Sequence, residues 1–145
     1  MSAEIFGVGS RNRRKQKMTE KKAVYKCNKC GNVVESMWAG GADLVCCGET
    51  MHKLEPNTTD AATEKHVPVI KRSGDSVTVK VGEAAHPMTA EHYILFVELI
   101  TGDTVYRHDF KEGDTAAEAT FLVASDEKDL KARAYCNKHG FWASK

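Results

Sequence analysis

The sequence contains no apolar run approaching the ~20 residues a helix needs to cross a bilayer. Its longest, Tyr93-Ile94-Leu95-Phe96-Val97, is strand-sized. No surplus of charge is present either: 21 basic and 20 acidic side chains leave a formal net charge of +1. Nothing global therefore calls for nucleic acid or a membrane surface. Internal repeats, low-complexity stretches and helix-length periodicity are missing. So are the dispersed, even-numbered cysteines of a disulfide framework. There are five cysteines, and four crowd into residues 27–47, which reads as a metal site in a reducing cytoplasm. At 145 residues the chain accommodates one ordinary domain, or a small one and a medium one.

Residues 1–17 stand apart. Arg11-Asn12-Arg13-Arg14-Lys15-Gln16-Lys17 is a basic run with no apolar segment after it, so it fails as a secretory or twin-arginine leader. Met18 would serve as an initiator, and 1–17 is expected to be a disordered basic tail rather than a phosphate-binding arm.

Residues 18–56 carry the strongest pattern. Cys27-Asn28-Lys29-Cys30 is followed fifteen residues later by Cys46-Cys47, four thiolates that complete a tetrahedral shell. Gly31 and Gly48 follow the two clusters and let the backbone turn so that the sulfurs converge. A segment this small cannot hold itself together by apolar burial alone, and a metal would staple it. Val24, Tyr25, Val33, Val34 and Val45 are expected in short flanking strands. On spacing alone, a closed four-cysteine set favours structural zinc. A thioredoxin-type dithiol fits poorly, for want of a βαβ context.

Residues 57–145 form the second unit. Thr58 to Glu64 begins with N-cap residues and predicts one helical turn; Pro68 then holds Val67 extended. Val77, Val79 and Val81 alternate with polar residues as a half-buried strand. His92 to Ile100, Thr104 to Phe110, Ala119 to Ala124 and Lys131 to Tyr135 continue the series, with Gly74-Asp75, Gly102-Asp103 and Gly113-Asp114 as turns. Strands at this spacing predict a mainly β chain with an immunoglobulin-like antiparallel sandwich.

On that scaffold His66, His86 and His92 fall on loops or strand ends, and Cys136-Asn137-Lys138-His139 ends the last strand. A thiol and an imidazole three positions apart can reach one metal ion, although in most chains such a pair is a core thiol and a surface ring. Four imidazoles and one thiolate would make a five-coordinate site with its sixth position open. A thiolate opposite that position pushes electron density towards whatever binds there. Glu64 and Lys65, taken alone, read as a solvated surface pair. His52 and His108 read as surface or strand histidines. Tyr25, Trp38, Phe96, Phe121 and Trp142 read as core or interface.

From Lys22 to Trp142 the chain resembles the two-iron superoxide reductases, or desulfoferrodoxins. Cys27-x2-Cys30 with Cys46-Cys47 resembles the family's desulforedoxin-type centre. Glu64-Lys65-His66-Val67-Pro68, His86-Pro87, His92-Tyr93 and Cys136-Asn137-x-His139-Gly140 resemble its catalytic centre. The resemblance implies a small desulforedoxin-like domain with an Fe(Cys)4 site, replacing zinc, followed by a sandwich with an Fe(His)4(Cys) site. It implies reduction of superoxide to hydrogen peroxide, with electrons from a small donor such as rubredoxin, in a cytoplasmic homodimer. Lys65 would attract the anion and organise a protonating water; Glu64 would take the sixth position in the ferric state. Position 138 is usually apolar in the family and is Lys138 here. Two other readings stand beside this one. A zinc-ribbon-like module whose basic tail touches nucleic acid would carry its charge on the ribbon, yet the basic run lies outside it. An electron-transfer or redox-sensing protein would not need Lys65 or Cys136 for superoxide consumption.

Overall fold

The computed structural model describes residues 19–60 and 65–145. The expected tail at 1–17 and Glu64 lie outside the described residues, as does most of the expected helical turn at 58–64. Among the described residues every regular element is a β-strand. The chain divides into two units, 1–54 and 55–145.

In the first unit, β1 (Val24–Lys26) pairs antiparallel with β2 (Val33–Glu35) and β5 (His52–Lys53). A second hairpin joins β3 (Val45–Cys46) to β4 (Glu49–Thr50). Its two-residue loop is Cys47-Gly48, with φ of +52° and +74°. Positive φ at both loop positions is the type I′ arrangement that suits the twist of a hairpin. Gly48 adopts it freely, whereas a cysteine there is strained. That strain has a use. Adjacent residues in an extended strand face opposite ways, but the left-handed turn at Cys47 brings its sulfur within 4.0 Å of that of Cys46. The buried core is Ala23, Tyr25, Cys27 and Met51, with Leu44 and Cys46 packed against it. So small a core needs a staple. Trp38 is not part of it: at 79 % exposure it lies on the surface, as do Met37 and Val45.

The second unit is a sandwich of two antiparallel sheets. One has the order β10 (Glu118–Leu122), β7 (Ser76–Val81), β6 (Pro68–Ser73); the other has β12 (Gly140–Ala143), β11 (Lys131–Cys136), β8 (Ile94–Thr101), β9 (Thr104–Asp109). Val77, Val79, Val81 and Ala119 from the first face Val97, Leu99, Ala132, Ala134 and Cys136 from the second across one buried core. Each fully buried valine or leucine there contributes roughly 1.5–3 kcal/mol. Strands β6 and β12 were not anticipated, and β11 is not the last strand of the chain. His52 and His108 lie exposed on β5 and β9. On the opposite face of the larger sheet, fully buried Glu98 receives hydrogen bonds from Arg133 Nε and Nη2 at 3.0 and 2.6 Å.

One irregularity in the larger sheet bears on the site. Tyr135 opposes Phe96, but Cys136 opposes Ile94, so β8 carries one extra residue at Leu95. A bulge exchanges the faces of the residues beyond it. Ile94 therefore joins Val97 and Leu99 in the core, where unbroken alternation would have sent Leu95. The loop leading into β8, which carries His92, is re-aimed by the same step.

Candidate metal centres

The first cluster is held by the knuckle after β1 and the β3–β4 hairpin. The Cys27 N–H donates to Asn32 O and the Gly31 N–H to Cys27 O, both at 2.9 Å, curling the Cys27–Cys30 segment around its own sulfurs. Cys30 Sγ lies 3.6 Å from Cys46 Sγ, and Cys46 Sγ lies 4.0 Å from Cys47 Sγ. All four sulfurs fall within 4.8 Å of one another. A tetrahedral ion with bonds of about 2.3 Å sets neighbouring sulfurs about 3.8 Å apart, so the cage fits such an ion. Four thiols this close cannot all ionise without a cation. The Cys30 backbone N–H draws Cys27 down to about 6. Cys46 is pushed up, and Cys47 up to about 12, each holding its proton by donating it to a neighbouring sulfur, that of Cys30 first. The Asn32 amide donates to Cys46 Sγ at 3.7 Å, a contact that the spacing of the cysteines did not reveal.

The second cluster gathers from four segments. His66 precedes β6, His86 follows β7, His92 precedes β8, and Cys136 and His139 flank the β11–β12 turn. Ring centroids of His66–His86, His86–His92, His92–His139 and His139–His66 are 4.7–4.8 Å apart, while His66–His92 spans 6.2 Å. Four equal edges and a longer diagonal describe a square. His139 turns Nδ1 inward, 3.1 Å from His66 Nε2 and 3.2 Å from His92 Nε2. Metal–nitrogen bonds of about 2.1 Å put adjacent nitrogens of a square about 3.0 Å apart. Cys136 Sγ stands 3.7 Å from His86 Nε2 and 3.8 Å from His139 Nδ1, an apical donor. The thiol is fully buried, His66 and His86 are buried, and His139 is exposed. The apex is therefore sealed while the ring reaches solvent. These five donors suit a first-row metal ion and, among the described residues, are one short of an octahedral set.

Side chains around the ring hold it in place. His86 Nδ1 lies 2.7 Å from Pro87 O; since a carbonyl only accepts, Nδ1 carries the proton and Nε2 is left for the metal. Trp142 on β12 stacks on His66 at 4.7 Å and 15°, and its Nε1–H donates to His139 O at 3.1 Å. Asp60 Oδ1 accepts from the backbone N–H groups of His66 and Val67 at 2.5 and 2.8 Å. Gly82, with φ of +77°, leaves room for Lys65 O: a Cβ built there would lie 2.4 Å from that oxygen. Lys65 itself is half-buried, directly before His66, and Lys138 is exposed. Reading by residue type passed over Asp60 and Gly82, because both act on backbone atoms.

Known proteins resemble both units. The family described as Desulfoferrodoxin matches residues 58–145, and Desulfoferrodoxin, N-terminal domain, matches 19–54. A desulfoferrodoxin homolog from Archaeoglobus fulgidus is 53 % identical over 127 residues, covering 88 % of this chain and 99 % of that one. A desulfoferrodoxin from Nitratidesulfovibrio vulgaris is 48 % identical over 119 residues, 82 % of this chain and 92 % of its own. The crystal structure of the superoxide reductase from Treponema pallidum superposes with a TM-score of 0.67 at 33 % identity, covering 85 % of this chain and 96 % of that one. The closed tetrahedron and the apical-thiolate square fit the two iron centres of such proteins, so iron replaces the zinc that spacing alone favoured. With both of its units matched in order and both donor sets assembled, the chain belongs to the desulfoferrodoxin family.

Proposed function

We propose that this chain is a superoxide reductase working at the second centre. The observation that carries the reading is the square of four imidazoles over a fully buried thiolate, sealed on the sulfur side and reaching solvent at His139. His66, His86, His92, His139 and Cys136 would hold the iron of the second centre, and Cys27, Cys30, Cys46 and Cys47 that of the first. A ferrous ion in the second set supplies the electron that, with two protons, converts superoxide to hydrogen peroxide. The Cys136 thiolate would donate electron density to that iron, and its burial keeps the sulfur from solvent and oxidants. Lys65, next to His66, draws the anion in and orders the water that delivers a proton. Glu64 is assigned the role of the carboxylate that displaces product. A rubredoxin-like protein is the proposed donor. The proposed assembly is a homodimer, a reading supported by the exposed Met37, Trp38 and Val45 of the first unit, and the proposed compartment is the cytoplasm, which the clustered cysteines suit. Among the described residues no helix is long and apolar enough to cross a membrane.

The test is iron content and a visible spectrum before and after mild oxidation, followed by superoxide consumption by the wild type and Cys136→Ser. Two irons per chain, a rubredoxin-like spectrum, a further thiolate-to-iron band on oxidation and a crippled serine variant are expected. A Cys136→Ser protein that consumes superoxide at the wild-type rate would sink the mechanism and favour a chain whose irons only cycle.

A further inference from the structure

Two segments that form one edge of the imidazole square lie far apart in sequence. His92 sits in the turn before β8, and Cys136 and His139 bracket the loop between β11 and β12. Within the His92 turn, Thr89 N–H donates to His92 O at 3.0 Å and His92 N–H to Thr89 O at 3.1 Å. Those bonds shape the turn without saying where it stands relative to the sulfur. The side chain between the two ligands of the other segment does. Asn137 Oδ1 accepts from the Tyr93 N–H at 3.0 Å, and Asn137 Nδ2 donates to Glu91 O at 3.0 Å. The Asn137 N–H also donates to Tyr93 O at 3.2 Å. One amide thus grips the backbone on both sides of His92 while its own backbone follows directly on Cys136.

We infer that Asn137 is a positioning residue for the second centre, a clamp that fixes His92 relative to Cys136 and His139. An amide is suited to the task because it must accept at Tyr93 and donate at Glu91 simultaneously. A carboxylate keeps the first bond and sets oxygen against oxygen at the second; alanine loses both. His92 Nε2 stands 3.2 Å from His139 Nδ1, so any slip between the segments opens that edge of the square. The inference rests on the iron reading above, and outer partners of metal ligands typically govern affinity by about 10–100-fold.

The test uses the full chain loaded with ferrous iron. A chelator in excess strips the second centre, followed by its thiolate-to-iron band after oxidation, with the first centre as internal reference. Asn137→Ala and Asn137→Asp are compared with Thr78→Val, which removes the hydroxyl pair joining Thr78 and Thr120 at 2.7 Å on the other sheet. Both Asn137 variants are expected to release second-centre iron about 10–100-fold faster, with a shifted band and an unchanged first centre. Thr78→Val should match the wild type in release. Wild-type release and band position in both Asn137 variants overturn the clamp. So does faster release that Thr78→Val reproduces at equal loss of thermal stability of the iron-free chain, since that would be general destabilisation. A wild-type chain that takes no iron at the second centre would instead defeat the functional reading itself.

Discussion

Gly82→Ala and Gly74→Ala form a pair in which only the surroundings of the new methyl group differ. Both glycines have positive φ, +77° and +59°, so both substitutions incur the left-handed penalty of roughly 1–2 kcal/mol. At Gly74 an added Cβ meets nothing within 4 Å. At Gly82 it would stand 2.4 Å from Lys65 O and 3.0 Å from Ala84 O, both backbone atoms that cannot swing aside. Restoring a contact of about 3.0–3.4 Å requires the Lys65 carbonyl to retreat by about 0.6–1.0 Å. The next residue is His66, whose Nε2 is 3.1 Å from His139 Nδ1. Misplacement by about 1 Å at a reacting centre can reduce a rate about 100-fold. Gly82→Ala should therefore lose second-centre iron and superoxide consumption by one to two orders of magnitude. Overpacking adds about 1–3 kcal/mol to its destabilisation. Gly74→Ala should show the φ cost alone, with full iron and activity. Iron retention, superoxide consumption and urea unfolding of the two variants decide the matter. Equal behaviour in all three assays would refute the claim that Gly82 is there for Lys65 and His66.

Two further outcomes are expected. Lys65→Ala should lower kcat/KM for superoxide about tenfold and flatten its dependence on ionic strength; an unchanged rate and salt slope would make the lysine a bystander. At the first centre, hydrogen bonding to the Cys30 sulfur pushes Cys46 up from its ordinary value and Cys47 up to about 12, so both hold their protons at pH 7–8. Metal capture there must release at least two protons, and affinity should fall at least about 100-fold for each pH unit lowered. Below about 6, where Cys27 also takes up a proton, the fall should steepen. Calorimetry in buffers of different ionisation enthalpy counts the protons, and fewer than two would contradict the assigned thiol states.

The donor atoms were legible in the sequence because metal chemistry restricts residue type. Few side chains can supply sulfur or imidazole nitrogen, and their clustering stands out in an otherwise ordinary composition. Strands with clean alternation, such as Val77, Val79 and Val81, were legible for the same reason: burial on one face leaves a period. Strand β12 was obscured because Gly140 to Ala143 follows directly on a metal motif and is buried at three of four positions, leaving nothing to alternate. The bulge at Leu95, the cap from Asp60 and the clamp from Asn137 have no such signature. Each depends on which backbone groups come together in space, and a backbone N–H looks alike at every position. Cys47 is an intermediate case: the adjacent cysteine pair was visible, but not the left-handed turn that lets both sulfurs face one ion.

The two donor sets differ in how much chain must exist before they can close. The first takes its sulfurs from Cys27 to Cys47, whereas the second reaches from His66 to His139. His139 lies 92 positions beyond Cys47, which at ~5–20 residues per second is roughly 5–20 s of translation. The tetrahedron can therefore close while the ribosome is still making the sandwich, and the square must wait for β11 and its turn to emerge. A nascent chain caught between those moments would carry one complete metal cage and a set of unassembled histidines.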